Sequence, residues 1–93
     1  MKNYITIKEL AAFHDIDEGY LMEFIHFGII SVKEQKTNLE IHMDDVEELE
    51  RAIRLRRDLE VNLQGVDIIC RLRTRIVELQ RELAEFKVSH DPD

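Results

Sequence analysis

The chain has 93 residues, of which 44% are hydrophobic and 35% are charged, and its formal net charge is −7. This length allows one compact domain with a long helix and excludes two independent cores. No apolar run approaches the roughly 20 residues of a membrane span, and residues 1–15 lack the basic and apolar segments of a secretory signal, so neither a membrane partner nor export is expected.

Charge is unevenly distributed along the chain. Residues 1–50 contain four lysines, no arginine and twelve acidic residues, which gives this half a net charge of −8. Residues 51–93 contain nine basic and eight acidic residues, a net charge of +1. Because lysine and arginine contacts to phosphate supply most non-specific DNA affinity, we expect the first half to repel a duplex.

The first predicted helix has a clear start signal. The Thr-Ile-Lys-Glu sequence of residues 6–9 matches a capping box, in which the Thr6 side chain accepts from the Glu9 amide while Glu9 reaches back to the Thr6 amide. This pattern predicts a helix over residues 7–14. Its inward-facing residues are expected to be Leu10, Ala11 and Phe13.

A second helix is predicted over residues 18–27, after a turn that runs from Asp15 to Asp17. Asp17 is a favourable N-cap, apolar residues at helical spacing follow it, and Gly28 is a typical left-handed stop after the helix. Two short helices joined by a tight turn predict a helix-turn-helix.

A short hairpin and a third helix complete the predicted domain. The β-branched residues 29–33 and the alternating residues 39–42 predict two strands that form a wing. The third helix is predicted over residues 43–60, with acidic first turns that suit the helix dipole. Its inner face is expected to contain Val46, Leu49, Ile53 and Arg56, with Leu59 near it.

Two features are predicted for the charged residues of the third helix. Arg56 lies toward the core face, so its stem is expected to be packed and its charged head to be paired. On the opposite face, ion pairs at i,i+4 are expected between Glu47 and Arg51, Glu50 and Arg54, and Arg54 and Asp58.

The fourth predicted helix, over residues 63–86 and capped by Asn62, is the longest. Six large apolar residues on it recur at spacings of three and four, which is a heptad seam. The domain is expected to cover this seam only up to about Leu72. We expect a self-paired coiled coil to bury the rest, and the alternative is that the helix folds back on its own domain. The predicted dimer interface is formed by Ile69, Leu72, Ile76, Leu79, Leu83 and Phe86.

The charges of this helix indicate a direction of pairing. Three arginines lie near its start and three glutamates near its end, a polarity that opposes the helix dipole. A parallel dimer would align like charges, whereas an antiparallel dimer sets the arginine end against the glutamate end, so we predict an antiparallel homodimer. The charged residues are Arg71, Arg73, Arg75, Glu78, Glu82 and Glu85.

Several stretches of the sequence resemble the MerR family. Residues 4–11, 16–21 and 24–30 resemble the start of a MerR-family domain, residues 43–49 look like its aspartate-rich entry to the third helix, and residues 59–66 are similar to its turn into the fourth helix. This resemblance implies a mainly α, MerR-like winged helix-turn-helix with a short β-hairpin wing and a long C-terminal helix in an antiparallel coiled coil.

The predicted organisation follows from these elements. A winged helix-turn-helix domain is expected over residues 1–62, a coiled-coil helix over residues 63–88 and a frayed tail over residues 89–93. Two departures from the family pattern argue against DNA binding: Met22 stands where MerR regulators usually carry an arginine, and the wing residues 32–36 include no arginine.

A closer resemblance is to the chaperone-modulator branch of this superfamily, the CbpM-like proteins. Residues 51–59 and 62–66 are similar to the most recognisable stretch of that branch, and the resemblance extends over residues 5–86. It implies binding to the J-domain of a DnaJ/CbpA-type co-chaperone and restraint of its action with DnaK. An acidic surface suits the basic helix of a J-domain. The alternative function is a MerR-family DNA-binding transcriptional regulator.

The predicted partner-binding residues lie on the third helix. Its acidic residues serve helix capping in the simplest interpretation, and its arginines serve surface ion pairs. Direct contact with a partner is the alternative interpretation for both groups. The candidates are Asp44, Asp45, Glu48, Arg51, Arg54 and Arg57.

No enzyme activity is predicted. The four histidines are scattered without a paired ligand spacing, so no metal site is expected, and no glycine-rich phosphate loop indicates a cofactor or a small-molecule substrate. Cys70 is the single cysteine and cannot form an internal disulfide, which favours a reducing compartment, most simply the cytoplasm. Its thiol is expected to be buried and inert.

Overall fold

The four predicted helices all form, and the computed structural model, which describes residues 3–36 and 38–90, also contains a small antiparallel sheet. The mainly helical fold with a long C-terminal helix confirms the predicted fold class, whereas the coiled-coil partner stays a prediction. The elements are β1 (Tyr4–Thr6), α1 (Ile7–His14), α2 (Glu18–His26), β2 (Lys33–Gln35), β3 (Asn38–His42), α3 (Met43–Arg57) and α4 (Leu63–His90).

Side-chain caps start the first two helices as predicted. Thr6 Oγ1 accepts from the Glu9 amide at 3.0 Å, and Glu9 Oε1 accepts from the Thr6 amide at 3.1 Å. Asp17 Oδ1 accepts from the Gly19 amide at 2.6 Å at the start of α2. Asp15 ends α1 in the left-handed conformation with φ of 54°, so the turn between the helices is tight.

The prediction that Phe13 faces inward is wrong, because its side chain is 79% exposed. Ile7, Leu10 and Ala11 are buried on α1, and the same stripe continues to the half-buried His14. Helical spacing of three and four residues defines that stripe, and Phe13 lies beside it at the end of the helix.

The prediction of a strand over residues 29–33 is also wrong in its start, because β2 begins only at Lys33. Gly28 adopts a φ of 84° after α2, as predicted. The Ile29 amide then donates to the Phe24 carbonyl at 3.0 Å, which closes the end of the helix. Ile29 and Ile30 are buried, so these β-branched residues serve the core rather than the wing.

The sheet has the strand order β1-β3-β2, and both pairs are antiparallel. β2 and β3 form the predicted wing hairpin, whereas β1 was not predicted because only residues 4–6 take part. β1 and β3 place Ile5 opposite Ile41, and the Ile41 side chain is fully buried. The sheet therefore attaches the wing to the helical core.

α3 ends at Arg57, earlier than the predicted residue 60. Glu60 has a φ of 56°, and the Val61 amide donates to the Leu55 carbonyl at 3.0 Å. This turn directs Leu59 outward, where it is 68% exposed. The prediction that Leu59 lies near the inner face is therefore wrong.

α4 begins with the predicted cap, since Asn62 Oδ1 accepts from the Gly65 amide at 2.8 Å. A Cβ on Gly65 would lie 2.7 Å from Val61 Cγ1, so any larger residue here would force the Val61 side chain to move. α4 continues to His90, past the predicted residue 86, and residues 91–93 of the predicted frayed tail lie outside the described residues. Among its side chains, Val66 and Cys70 join the buried core.

Candidate protein-binding surfaces

The second helix of the helix-turn-helix contains no lysine or arginine. The residues of α2 that reach solvent include Glu18, Glu23 and His26. Met22, which stands where an arginine is usual in the MerR pattern, is half-buried against the core cluster. A helix that reads DNA requires positive or hydrogen-bonding side chains toward the duplex, and α2 presents an acidic surface instead.

The wing offers little positive charge of its own. Lys33 lies at the start of β2, and its Nζ is 5.1 Å from the centroid of the Tyr4 ring. The neighbouring strand residue Glu34 is exposed. Lys36 occupies the turn after β2 with a φ of 53°. Two lysines beside a glutamate make the wing a weak site for phosphate.

The predicted acidic residues lie on the first turns of α3. His42 is the N-cap, and its Nδ1 accepts from the Asp44 amide at 3.0 Å; this cap was not predicted. Asp44 is well exposed, whereas Asp45 and Glu48 are half-buried. Because α3 rises about 1.5 Å per residue, Asp44 lies about 20 Å from Arg57, but Glu48 and Arg51 are three residues apart and both lie near Cys70, so the acidic and basic candidates follow each other along one helix.

One of the three predicted ion pairs on α3 forms. Arg51 Nη2 lies 3.6 Å from Glu47 Oε1. Glu50 lies against α1 instead, since its Oε2 is 2.9 Å from His14 Nε2, although this contact lacks hydrogen-bond geometry. Arg54 and Arg57 are exposed, and neither has an ion-pair partner among residues 3–36 and 38–90. For these two arginines, the interpretation as surface ion pairs is wrong.

The structure brings Arg54 and Arg57 to a hollow of about 310 Å³ between α1 and α3. His14 and Glu50 bridge the two helices across it. A second hollow of about 290 Å³ lies on the other side of Arg54 and has an apolar floor that includes Leu55 and Leu59. The residues that line both hollows are Arg54 and Asp58.

The predicted environment of Arg56 is confirmed. Its guanidinium carbon lies 4.7 Å from the centroid of the Tyr20 ring and 5.5 Å from that of Phe24. Its Nη2 donates to Glu23 Oε1 at 3.1 Å. Burial raises the pKa of the Tyr20 phenol above its ordinary value, against the opposing effect of the Arg56 charge. Arg56 therefore connects α2 to α3.

The seam of α4 remains uncovered by its own domain. Ile69 is 37% exposed, and the other five seam residues are between 46% and 58% exposed. Leu72 is among the exposed ones, so the expectation that the domain covers the seam up to Leu72 is wrong; the covered part of α4 ends at Cys70. The alternative in which the helix folds back on its domain is also wrong. The seam residues are Ile69, Leu72, Ile76, Leu79, Leu83 and Phe86.

A groove of about 400 Å³ lies between α3 and the first part of the seam. Arg51 and Leu55 of α3 form one wall. Arg73 of α4 forms part of the other and has no ion-pair partner in the described part of the chain. Arg75, in contrast, pairs along its own helix, with Nη1 3.1 Å from Glu78 Oε2 and 3.9 Å from Glu82 Oε1.

Among the described side chains, Cys70 and the histidines do not assemble a chemical site. Burial raises the pKa of the Cys70 thiol, and the nearby Glu48 charge acts in the same direction, so the thiolate is disfavoured. Within the described residues, no group of three or more metal-binding side chains comes together. The described helices also include none long and apolar enough to cross a membrane.

The two short helices, the attached hairpin and the long final helix define a winged helix-turn-helix protein. A family model described as MerR HTH family regulatory protein matches residues 5–88. The chain belongs to this family. No curated protein matches the chain at a significant level.

Proposed function

We propose that this chain is a non-catalytic chaperone modulator of the cytoplasm. In this role it binds the J-domain of a DnaJ/CbpA-type co-chaperone and restrains the action of that co-chaperone with DnaK. The observation that carries the proposal is the surface of the helix-turn-helix, where α2 has exposed glutamates and no lysine or arginine. The helix-turn-helix fold usually binds DNA. Here its surface is acidic instead, and negative charge attracts a basic partner.

The acidic start of α3 supports the same proposal. Asp44 and Glu47 are exposed next to the wing hairpin, and the half of the chain that contains them has a net charge of −8. Complementary charge of this kind increases the association rate and excludes acidic competitors. We assign Asp44, Asp45 and Glu48 to contact with the basic helix of the J-domain.

Calorimetric titration of the full chain with a purified J-domain tests this assignment. We expect binding that weakens as salt is added, and a reduction of about tenfold or more in the triple variant Asp44→Asn, Asp45→Asn, Glu48→Gln. Glu34→Gln, on the wing, is the matched control and should bind normally. Wild-type protein should also reduce the ATP hydrolysis by DnaK that the J-domain stimulates. Absence of J-domain binding would refute the proposal.

A DNA-binding regulator is the second candidate function, and the match to a family of helix-turn-helix regulatory proteins favours it. Gel-shift or anisotropy measurements with promoter fragments at moderate salt distinguish the two. Because lysine and arginine are missing from α2, we expect only weak binding that is independent of DNA sequence. Specific nanomolar binding to one fragment would establish the regulator in place of the modulator.

We further propose that two copies pair through the seam of α4 in antiparallel orientation. A register that sets Ile76 against Leu79 of the partner subunit brings the arginine end of one helix alongside the glutamate end of the other. Large exposed apolar residues at heptad spacing require such a partner. Arg75 and Glu82 already lie within 3.9 Å of each other in one helix. Antiparallel pairing of two helices would bring charged side chains of the partner subunit close to this pair.

Disulfide trapping tests the orientation in a Cys70→Ala background. Mixed Ile76→Cys and Leu79→Cys proteins should form a cross-link between two copies in an antiparallel pair. Ile76→Cys alone should cross-link poorly, since its heptad partner in a parallel pair is the same position. Preferential cross-linking of Ile76→Cys with itself would show the parallel arrangement instead.

A further inference from the structure

Arg54 and Arg57 are the two arginines of α3 that lack an ion-pair partner among the described residues. They lie three residues apart on α3, which places them on one face of the helix, and both are exposed. Within residues 3–36 and 38–90 neither makes an ion pair, whereas Arg51 and Arg56 on the same helix are paired with Glu47 and Glu23. Two adjacent guanidinium groups are therefore available to an external anion.

The surface around these two arginines has both polar and apolar parts. The hollow beside α1 contains His14 together with both guanidinium-bearing side chains. The adjoining hollow contributes Leu55 and Leu59, and Leu59 is 68% exposed. Exposed leucine beside unpaired arginine is a surface that a ligand with both carboxylates and an apolar side chain would cover.

We propose that this surface, which we name the Arg54–Arg57 surface and which includes Leu55 and Leu59, binds an acidic segment of a partner protein. Carboxylates of the segment pair with the two guanidinium groups, in bidentate geometry where the backbone permits. An apolar side chain of the same segment packs on the two leucines. The inference deepens the proposed function and rests on it, because it names the chemistry of a second contact with the protein partner.

Local charge favours a protein segment over a nucleic acid. Glu50 and Asp58 border the same hollow, and the first half of the chain carries a net charge of −8. An extended phosphate backbone would pass close to these negative charges within a screening length of about 10 Å. A short segment with a few carboxylates can pair with the arginines alone and use the leucines for apolar contact.

Fluorescence anisotropy of the full chain with a labelled peptide that carries one Glu-Glu-Leu triplet among uncharged residues tests the proposal. The wild-type protein should bind it, and the double variant Arg54→Gln, Arg57→Gln should bind it about tenfold more weakly, since two charge-assisted contacts are lost. Arg81→Gln is the matched control, because Arg81 is an exposed arginine on α4 outside the seam. Leu59→Ser should also weaken binding, and a Gln-Gln-Leu peptide should bind poorly.

Several outcomes would overturn the proposal: equal peptide binding by the wild type and the double variant, an equal loss in Arg81→Gln, or equal binding of the uncharged peptide. Titration of the same variants with a J-domain separates this failure from failure of the proposed function. J-domain binding that depends on the acidic residues of α3 but not on Arg54 and Arg57 refutes the Arg54–Arg57 surface alone. Peptide binding without J-domain binding refutes only the chaperone role.

Discussion

The winged-helix domain and the distal part of α4, residues 71–88, both carry apolar residues at regular spacing, but only the domain buries them. Phe24, Leu21 and Leu49 have no exposed surface in the domain. In contrast, every side chain of residues 71–88 is exposed. An apolar pattern of the same kind thus corresponds to an internal core in one region and to an apolar face that the domain leaves exposed in the other.

This difference distinguishes the apolar residues that stabilise the fold from those that remain available for contact with another molecule. Burial of apolar surface contributes about 25 cal/mol per Å², so the domain gains its stability from contacts within the chain. The distal part of α4 gains nothing of this kind by itself, since isolated helices depend on tertiary packing for most of their stability. Its apolar seam is therefore the place where association with a second chain has the most to contribute.

The largest effect is expected for Phe24→Ala, in the centre of the domain. Phe24 is fully buried between α2 and the other helices, and its truncation should lower the free energy of unfolding by about 3–5 kcal/mol. Urea denaturation followed by circular dichroism measures the loss. Phe13→Ala is the matched control and should cost less than about 0.5 kcal/mol, since Phe13 is exposed. Similar losses for the two phenylalanines would contradict the assignment of the core.

The second effect concerns the distal region. The double variant Ile76→Gln, Leu79→Gln should raise the dissociation constant of the dimer by about 100-fold or more, because each copy loses two central apolar contacts. Sedimentation measurements at several protein concentrations determine the constant. Val88→Gln, at an exposed position outside the seam, should leave the dimer unchanged. A wild-type protein that stays monomeric at high concentration would refute the proposed homodimer.

Arg56 provides a third test, because it is a charged residue that behaves as part of the core. Arg56→Ala removes the stacking on Tyr20 and Phe24 and the ion pair with Glu23. We expect a loss of about 1–2 kcal/mol in unfolding free energy from packing and cation–π contacts. Arg54→Ala, two residues away on another face of α3 and unpaired, should lose much less. Equal losses would mean that Arg56 is solvated in the same way as its neighbour.

Local signals made much of the domain predictable. The capping box at Thr6 and the caps at Asp17 and Asn62 are hydrogen bonds between residues two or three apart, so their spacing in the sequence is sufficient to find them. The position of Arg56 followed from helical periodicity in the same way. The residues that were misplaced are those whose environment depends on distant parts of the chain.

Phe13, Leu59 and β1 illustrate this dependence. Phe13 is apolar and lies close to the inner stripe of α1, but no other element covers its side chain, whereas the next residue, His14, faces α3. Leu59 turns outward because Glu60 takes a left-handed conformation. β1 exists only because β3 lies beside it. Arg54 was a candidate for binding from the sequence, but its lack of an ion pair could not be predicted, since the position of Glu50 beside His14 depends on another helix.

The smallest effects compare a local interaction in each region. Thr6→Ala removes the capping box of α1 and should lower the free energy of unfolding by about 1 kcal/mol. The loss should be visible because α1 unfolds together with the rest of the domain. Glu78→Gln removes the ion pair with Arg75 in distal α4, and an exposed pair of this kind is worth about 0.5 kcal/mol or less. Urea denaturation at a protein concentration below the dissociation constant of the proposed dimer should show the loss for Thr6→Ala and almost none for Glu78→Gln. A comparable loss for Glu78→Gln would mean that distal α4 unfolds together with the domain, and that the two regions form one cooperative unit.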